Sequence, residues 1–103
     1  MILLQGELGA PNLIYPPVSR LSTTVDLGRP VSRYAKALLR GFELGNFPDD
    51  VQLWHVRIHL GTSFGTDLQH VEVTADVELK DRSARDFDWR AIEIRVFFTV
   101  LAE

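Results

Sequence analysis

The densest group of potential ligands in the sequence is the acidic segment 77–94, VELKDRSARDFDWRAIEI. Its 18 positions hold five carboxylates: Glu78, Asp81, Asp86, Asp88 and Glu93. Closely spaced loop oxygens suit calcium, but the EF-hand spacing with its central glycine is missing. Arg82 and Arg85 in the same loop would also neutralise the charge that a cation needs. Because Asp and Ser stabilise turns through their own backbone, the segment predicts a polar turn between two strands and no metal site.

An aromatic side chain at the same turn suggests a different chemistry. Trp89 follows Asp88 at the predicted end of the hairpin, where a half-exposed indole can stack on a sugar or on a partner. The alternative, which we favour, is a tryptophan that closes the end of the fold. A carbohydrate-binding module that uses Trp89, Asp86, Asp88 and the 81–88 loop is therefore a second hypothesis for function.

Two histidines and an arginine alternate along another segment of the chain. His55 and His59 are four residues apart, which is roughly 13 Å in a strand at about 3.3 Å per residue, so they cannot share one metal ion. His70 can approach His59 across a hairpin, but two histidines make an incomplete site. We favour a partly solvated face that carries cross-strand charge pairs, and we keep His55, Arg57 and His59 as candidate ligand-binding residues.

Catalytic signals are weak in this sequence. No serine lies in a G-x-S-x-G elbow, and no glycine-rich loop precedes a predicted helix. Glu43, between two apolar residues, is the one candidate for a carboxyl group in an apolar pocket, and a strand would turn it to solvent. The absence of cysteine excludes thiol chemistry and disulfides. We therefore predict no catalytic residue and no cofactor, although a small enzyme with His55 as a base remains a third hypothesis.

The bulk composition places the chain in an ordinary class. Its 103 residues, 46% hydrophobic and 24% charged, predict one globular domain over residues 1–103. A net charge of −3 gives no electrostatic reason to expect nucleic-acid binding. The N-terminal MILLQGELGA lacks a basic region, and no segment approaches the roughly 20 apolar residues of a membrane span. These features predict a cytoplasmic protein with neither a nucleic-acid nor a membrane partner.

Period-2 alternation in the C-terminal half predicts three strands. Every odd position of 71–79 is apolar, and every even position of 92–100 is apolar. In 51–60 one face carries Trp54 and three further apolar residues, while a change of phase predicts a bulge near Leu53. We therefore expect Trp54 in the core, together with Val56, Val73, Ile94 and Val96.

The alternation also suggests how these strands pair. Placing Leu60 opposite Gln69 in an antiparallel hairpin sets Ile58 opposite Val71 and keeps the apolar faces together. Any such register puts the His55, Arg57 and His59 face beside the acidic face of the next strand. The same logic pairs 71–80 with 90–101.

A second apolar face on the last strand predicts self-association. Phe97 and Leu101 lie on the face opposite Ile94 and Val96, and each sheet of a small sandwich needs only one inner face. We expect a homo-oligomer, most simply a dimer, with Phe97 and Leu101 in or near the contact.

The N-terminal half is more ambiguous. Segments 2–8 and 21–27 can be strands, whereas 32–46 has the pattern of an amphipathic helix, with Ser32 as N-cap and Gly45 as terminator. If the same segment is a strand, charged residues interrupt its apolar face.

Several short motifs follow one another in residues 29–103: Pro-Val, Leu-x-Gly-Phe in ALLRGFEL, an LxD hairpin in VELKD and a final strand that ends in Ala-Glu. Their order resembles a family of small bacterial all-β domains with no assigned activity. At the family's Asp-His-His turn this chain has Asp50 followed by Val51 and Gln52, so any role of those histidines is lost here. The resemblance implies that 35–44 is a strand and that the fold is a two-layer antiparallel β-sandwich. The alternative is an α+β fold with a 33–44 helix on the sheet. For function, we predict a non-enzymatic domain that acts in binding or assembly, with an unknown small-molecule or glycan ligand.

Overall fold

In a computed structural model the chain forms two antiparallel sheets. The structure describes residues 1–11, 18–32, 34–45, 53–65, 67–81 and 93–103. These residues form six strands: β1 (Ile2–Pro11), β2 (Val18–Asp26), β3 (Ala35–Gly45), β4 (Leu53–Phe64), β5 (His70–Asp81) and β6 (Glu93–Ala102). They contain no helix, so the predicted all-β sandwich is confirmed and the alternative helix at 33–44 is wrong.

The first sheet has the order β1-β6-β3 and the second the order β2-β5-β4. The two sheets stack so that β1 lies near β2 and β3 lies near β4. The predicted pairing of 71–80 with 90–101 is therefore wrong, because β5 and β6 belong to opposite sheets. Both strands have an uninterrupted apolar face. In a two-layer sandwich each strand can be the central strand of its own sheet, and the two apolar faces are buried against each other.

The core consists of the inward faces of these two central strands. Val73 and Val96 are fully buried and Ile94 is 1% exposed, as predicted. Val56 is only half-buried, contrary to expectation, because β4 is an edge strand whose inward side chains are covered on one side alone.

The β4–β5 hairpin has a different register from the one predicted. Leu60 lies opposite Ala75 instead of Gln69, because β4 continues to Phe64. Thr62 continues the inward face, and its hydroxyl donates a 2.9 Å hydrogen bond to the carbonyl of Ala35 in the other sheet. Since the difference of six positions is even, the side chains of β4 from His55 to Leu60 keep their predicted faces.

A bulge in each sheet interrupts the alternation. In β4 the pairing shifts between Leu53 and His55, which confirms the predicted bulge. Trp54 is the extra residue and is 73% exposed, so its predicted place in the core is wrong. In β3 the pairing shifts between Leu39 and Gly41, so Arg40 is the extra residue.

The N-terminal strands form one edge of each sheet. β1 pairs with β6 along its whole length, and β2 pairs with β5 along its whole length. Their inward residues Leu8 and Leu21 are 2% and 5% exposed. The predicted strands at 2–8 and 21–27 are thus confirmed.

Candidate functional sites

A polar cleft of about 360 Å³ lies on the outer face of the second sheet. The described side chains that line it are Arg20, Arg57, His59, Asp76 and Glu78. They converge because outward positions on neighbouring strands lie opposite one another: Arg57 is opposite Glu78 and His59 is opposite Asp76. The predicted juxtaposition of the basic face of β4 with the acidic face of β5 is therefore confirmed.

An ion pair joins two of the residues that line this polar cleft. Arg20 donates from Nε to Asp76 Oδ1 at 2.7 Å and from Nη2 to Oδ2 at 3.2 Å. These bonds lower the pKa of the Asp76 carboxyl and so favour its ionised form.

His55 lies beside the polar cleft, outside the set of residues that line it. Its Nε2 atom is 3.0 Å from Glu78 Oε1, but the N–H direction falls outside hydrogen-bond geometry, and Nε2 has no hydrogen-bond partner among the described residues. Lys80 Nζ lies 3.6 Å from the same carboxylate oxygen. Glu78 is thus shared between two basic side chains, His55 and Lys80. Arg57 and His59 line the polar cleft together with Asp76, whereas His55 does not.

His70 belongs to a separate cluster at the β4–β5 turn. Its Nδ1 lies 3.0 Å from Asp67 Oδ2, and its Nε2 lies 3.7 Å from Asp26 Oδ2. Hydrogen bonding to Asp67 raises the pKa of His70, and hydrogen bonds from the backbone and side chain of His70 lower the pKa of Asp67. Asp67 also accepts from the backbone N–H of Gln69 and of His70, so the cluster fixes the turn.

The possibility that His70 approaches His59 is wrong. His59 lies opposite Asp76, six residues along β5 from His70, which is about 20 Å in a strand. Across the part of the chain that the structure describes, no three histidines or carboxylates are arranged to hold a metal ion.

The outer face of the first sheet carries several large apolar side chains among its polar ones. Phe97 and Leu101 lie there on the central strand β6 and are half-buried. Leu3, opposite Leu101 on β1, is 61% exposed, and Leu38, opposite Thr99 on β3, is 40% exposed. We call these four residues the outer apolar patch: Leu3, Leu38, Phe97 and Leu101.

A second apolar surface, which the sequence does not predict, lies along the free edge of β3. Leu39 and Phe42 are opposite the buried residues Phe98 and Val96 and therefore face inward, yet they are 46% and 44% exposed. The only signal in the sequence was the phase change between them, which is the bulge at Arg40.

Three predicted ligand-binding residues, Asp86, Asp88 and Trp89, lie outside the described residues, as does most of the 81–88 loop. The exposed tryptophan that the structure does describe is Trp54.

Comparison with known proteins gives no relative. No protein-family model matches the chain, and neither a curated protein nor a solved structure is a match. The resemblance of residues 29–103 to small bacterial β-domains therefore stays a prediction. Among the described residues there is no helix long and apolar enough to cross a membrane.

Proposed function

We propose that this chain is a non-enzymatic assembly domain that binds a second copy of itself through the first sheet. The observation that carries the proposal is the outer apolar patch, in which Leu3, Leu38, Phe97 and Leu101 lie on three adjacent strands. Exposed apolar side chains grouped on one face of a small domain are typical of a protein contact.

The arrangement of charges supports the same function. In the polar cleft Asp76 is already neutralised by Arg20, and at the β4–β5 turn His70 is held by Asp67. These pairs give local stability and positioning, whereas the outer apolar patch gains free energy only when something covers it. A second copy is the simplest cover, since a two-fold contact uses the same patch on both chains.

The test is light scattering on the purified chain at high micromolar concentration. We expect the parent protein to self-associate, and we expect Leu101→Lys and Leu3→Lys to form smaller or weaker assemblies. The matched control is Thr24→Lys, which adds the same charge at an exposed position of β2 on the other sheet and should associate like the parent protein. A monomeric parent protein would overturn the proposal.

A specific observation supports glycan binding as a second candidate. The polar cleft presents Arg57 and His59 on β4, and Trp54 is 73% exposed on the same strand. Hydrogen-bonding side chains with an exposed indole nearby suit a sugar, which offers hydroxyl groups and an apolar ring face. A glycan array decides this candidate: we expect binding by the parent chain that both Arg57→Ala and Trp54→Ala abolish, and an array without signal would reject it.

We place either function in the cytoplasm, without a nucleic-acid or membrane partner and without a cofactor, as the sequence predicts.

A further inference from the structure

We infer that two copies of this chain join through the free edges of their β3 strands, paired antiparallel about a two-fold axis at Leu39. The pairing would merge the two first sheets into one continuous six-stranded sheet. This inference rests on the proposed self-association and adds a second contact of the first sheet, at the β3 edge and separate from the outer apolar patch.

The first observation is that the free edge of β3 carries exposed apolar side chains. In its sheet β3 pairs with β6 alone, so its other edge is unpaired by any described strand. Its inward residues Leu39 and Phe42 are 46% and 44% exposed, while the inward residues Leu8 and Leu21 on the β1/β2 side are almost fully buried. An unpaired edge with exposed apolar side chains is a template for another strand.

The second observation is that β3 is complementary to itself in size. Because Arg40 is a bulge residue, it has no opposite partner and is left out of the register. If Leu39 lies opposite its own copy, Ala37 lies opposite Phe42, and both face the core side. The small Ala37 leaves room for the ring of Phe42 from the other copy, so both exposed apolar residues become covered.

The same register is complementary in charge. Lys36 then lies opposite Glu43, and the pair occurs twice across the two-fold axis. Neither residue has an ion pair or hydrogen bond to another described residue, although Glu43 lies opposite Arg95 of β6. On the same outer face Leu38 lies opposite Gly41, where no heavy atom comes within 4 Å of the position that a Cβ would take. Oppositely charged residues and large–small pairs directly across two strands favour their association.

A charged residue on a bulge often blocks an edge, but Arg40 is turned away from it. Its Nε donates a 3.2 Å hydrogen bond to the carbonyl of Phe98, and its guanidinium carbon lies 5.9 Å from the centroid of the Phe97 ring. The side chain therefore lies over its own sheet and leaves the free edge of β3 open.

The two edges of the second sheet are less suited to self-pairing. The ionisable outward residues of β4 are all basic, so two copies would bring basic side chains together with no carboxylate between them: His55, Arg57 and His59. If two β2 edges paired antiparallel, Arg20 of one copy could lie opposite Asp26 of the other. However, Arg20 is bonded to Asp76, and Asp26 accepts hydrogen bonds from Gly28 and Gln69.

Cysteine cross-linking tests the axis of the pair, because the chain has no cysteine of its own. Opposite residues in an antiparallel pair have Cα atoms about 4.5–5.5 Å apart, within reach of a disulfide. Leu39→Cys should therefore form a disulfide-linked dimer on mild oxidation. Leu38→Cys is the matched control, since it is similarly exposed but its two copies lie two positions apart along the strands, beyond that reach.

Charge reversal tests the register independently of oxidation. Lys36→Glu alone and Glu43→Lys alone each place like charges opposite one another twice, and we expect dimer dissociation constants roughly tenfold higher. The double variant Lys36→Glu/Glu43→Lys restores both pairs and should restore the parent affinity. Sedimentation equilibrium at low salt measures all four proteins.

The outcomes separate this inference from the proposed function. A monomeric parent protein overturns both. Two results would overturn the β3 pairing and leave assembly through the outer apolar patch. The first is a dimer in which Leu101→Cys cross-links and Leu39→Cys does not. The second is a double charge variant that fails to recover the parent affinity. Cross-linking of Leu39→Cys but not Leu38→Cys, with recovery in the double variant, is the expected result.

Discussion

Replacing Gly6 with alanine should destabilise the protein, although glycine is normally a weak residue in a strand. Gly6 in β1 lies opposite Phe98 in β6, and both face the core. A Cβ at Gly6 would lie 2.6 Å from Phe98 Cζ and 3.1 and 3.2 Å from the two Cε atoms. Since carbon atoms in contact prefer about 3.5–4.0 Å, the ring would have to move by about 1 Å. Phe98 is 1% exposed and packed among other core side chains, so it has no free space to enter.

The expected magnitude follows from two opposing effects. Overpacking of a close-packed core typically costs about 1–3 kcal/mol. Alanine in a strand recovers about 0.5–1 kcal/mol relative to glycine, because it restricts the unfolded chain. We therefore expect Gly6→Ala to lower the free energy of unfolding by about 1–2 kcal/mol, measured by urea denaturation followed through tryptophan fluorescence.

The matched control is Gly9→Ala in the same strand. A Cβ there would meet its nearest atoms at 3.5 and 3.7 Å, which is ordinary van der Waals contact, so the stability should be unchanged or slightly higher. Phe98→Leu should relieve the clash, so the Gly6→Ala/Phe98→Leu double variant should be less destabilised than the sum of its single variants. If Gly6→Ala were as stable as Gly9→Ala, the tight contact between β1 and Phe98 would be refuted.

Three further predictions concern the core, the turn cluster and the acidic loop. Val96→Ala should lower the free energy of unfolding by about 1–3 kcal/mol in the same urea assay, because a fully buried side chain loses its contacts. Hydrogen bonding to Asp67 raises the pKa of His70 above its usual 6.5, so this stabilisation is complete below pH 6.5 and is lost as the pH rises through the raised value. Tm should therefore fall slightly over that range in the parent protein but not in His70→Gln, and equal slopes would contradict this role. Calcium or a chelator should leave Tm unchanged if 81–88 is only a turn, whereas a rise of several degrees with calcium would indicate a site.

The sequence by itself determined the strands that have an uninterrupted apolar face. In β5 and β6 every second residue is apolar, and this alternation predicted both the strands and the faces that become buried. It also predicted which sides of β4 and β5 lie together, since an even error in register leaves every side chain on the same face. For this reason the acidic and basic faces meet in the polar cleft, although the predicted partner of Leu60 was wrong.

Only the tertiary structure decided the features that depend on a bulge or on a distant strand. The extra residue Arg40 breaks the alternation of β3, so the sequence has a helical period, and pairing with β6 makes the segment a strand. Likewise Trp54 has the spacing of a core residue but is exposed because it is the extra residue of β4. The placement of β5 and β6 in opposite sheets, and of β3 at an open edge, depends on pairings between residues far apart in the chain. Local periodicity contains no information about such pairings, and they alone determine that Leu39 and Phe42 face inward and stay exposed.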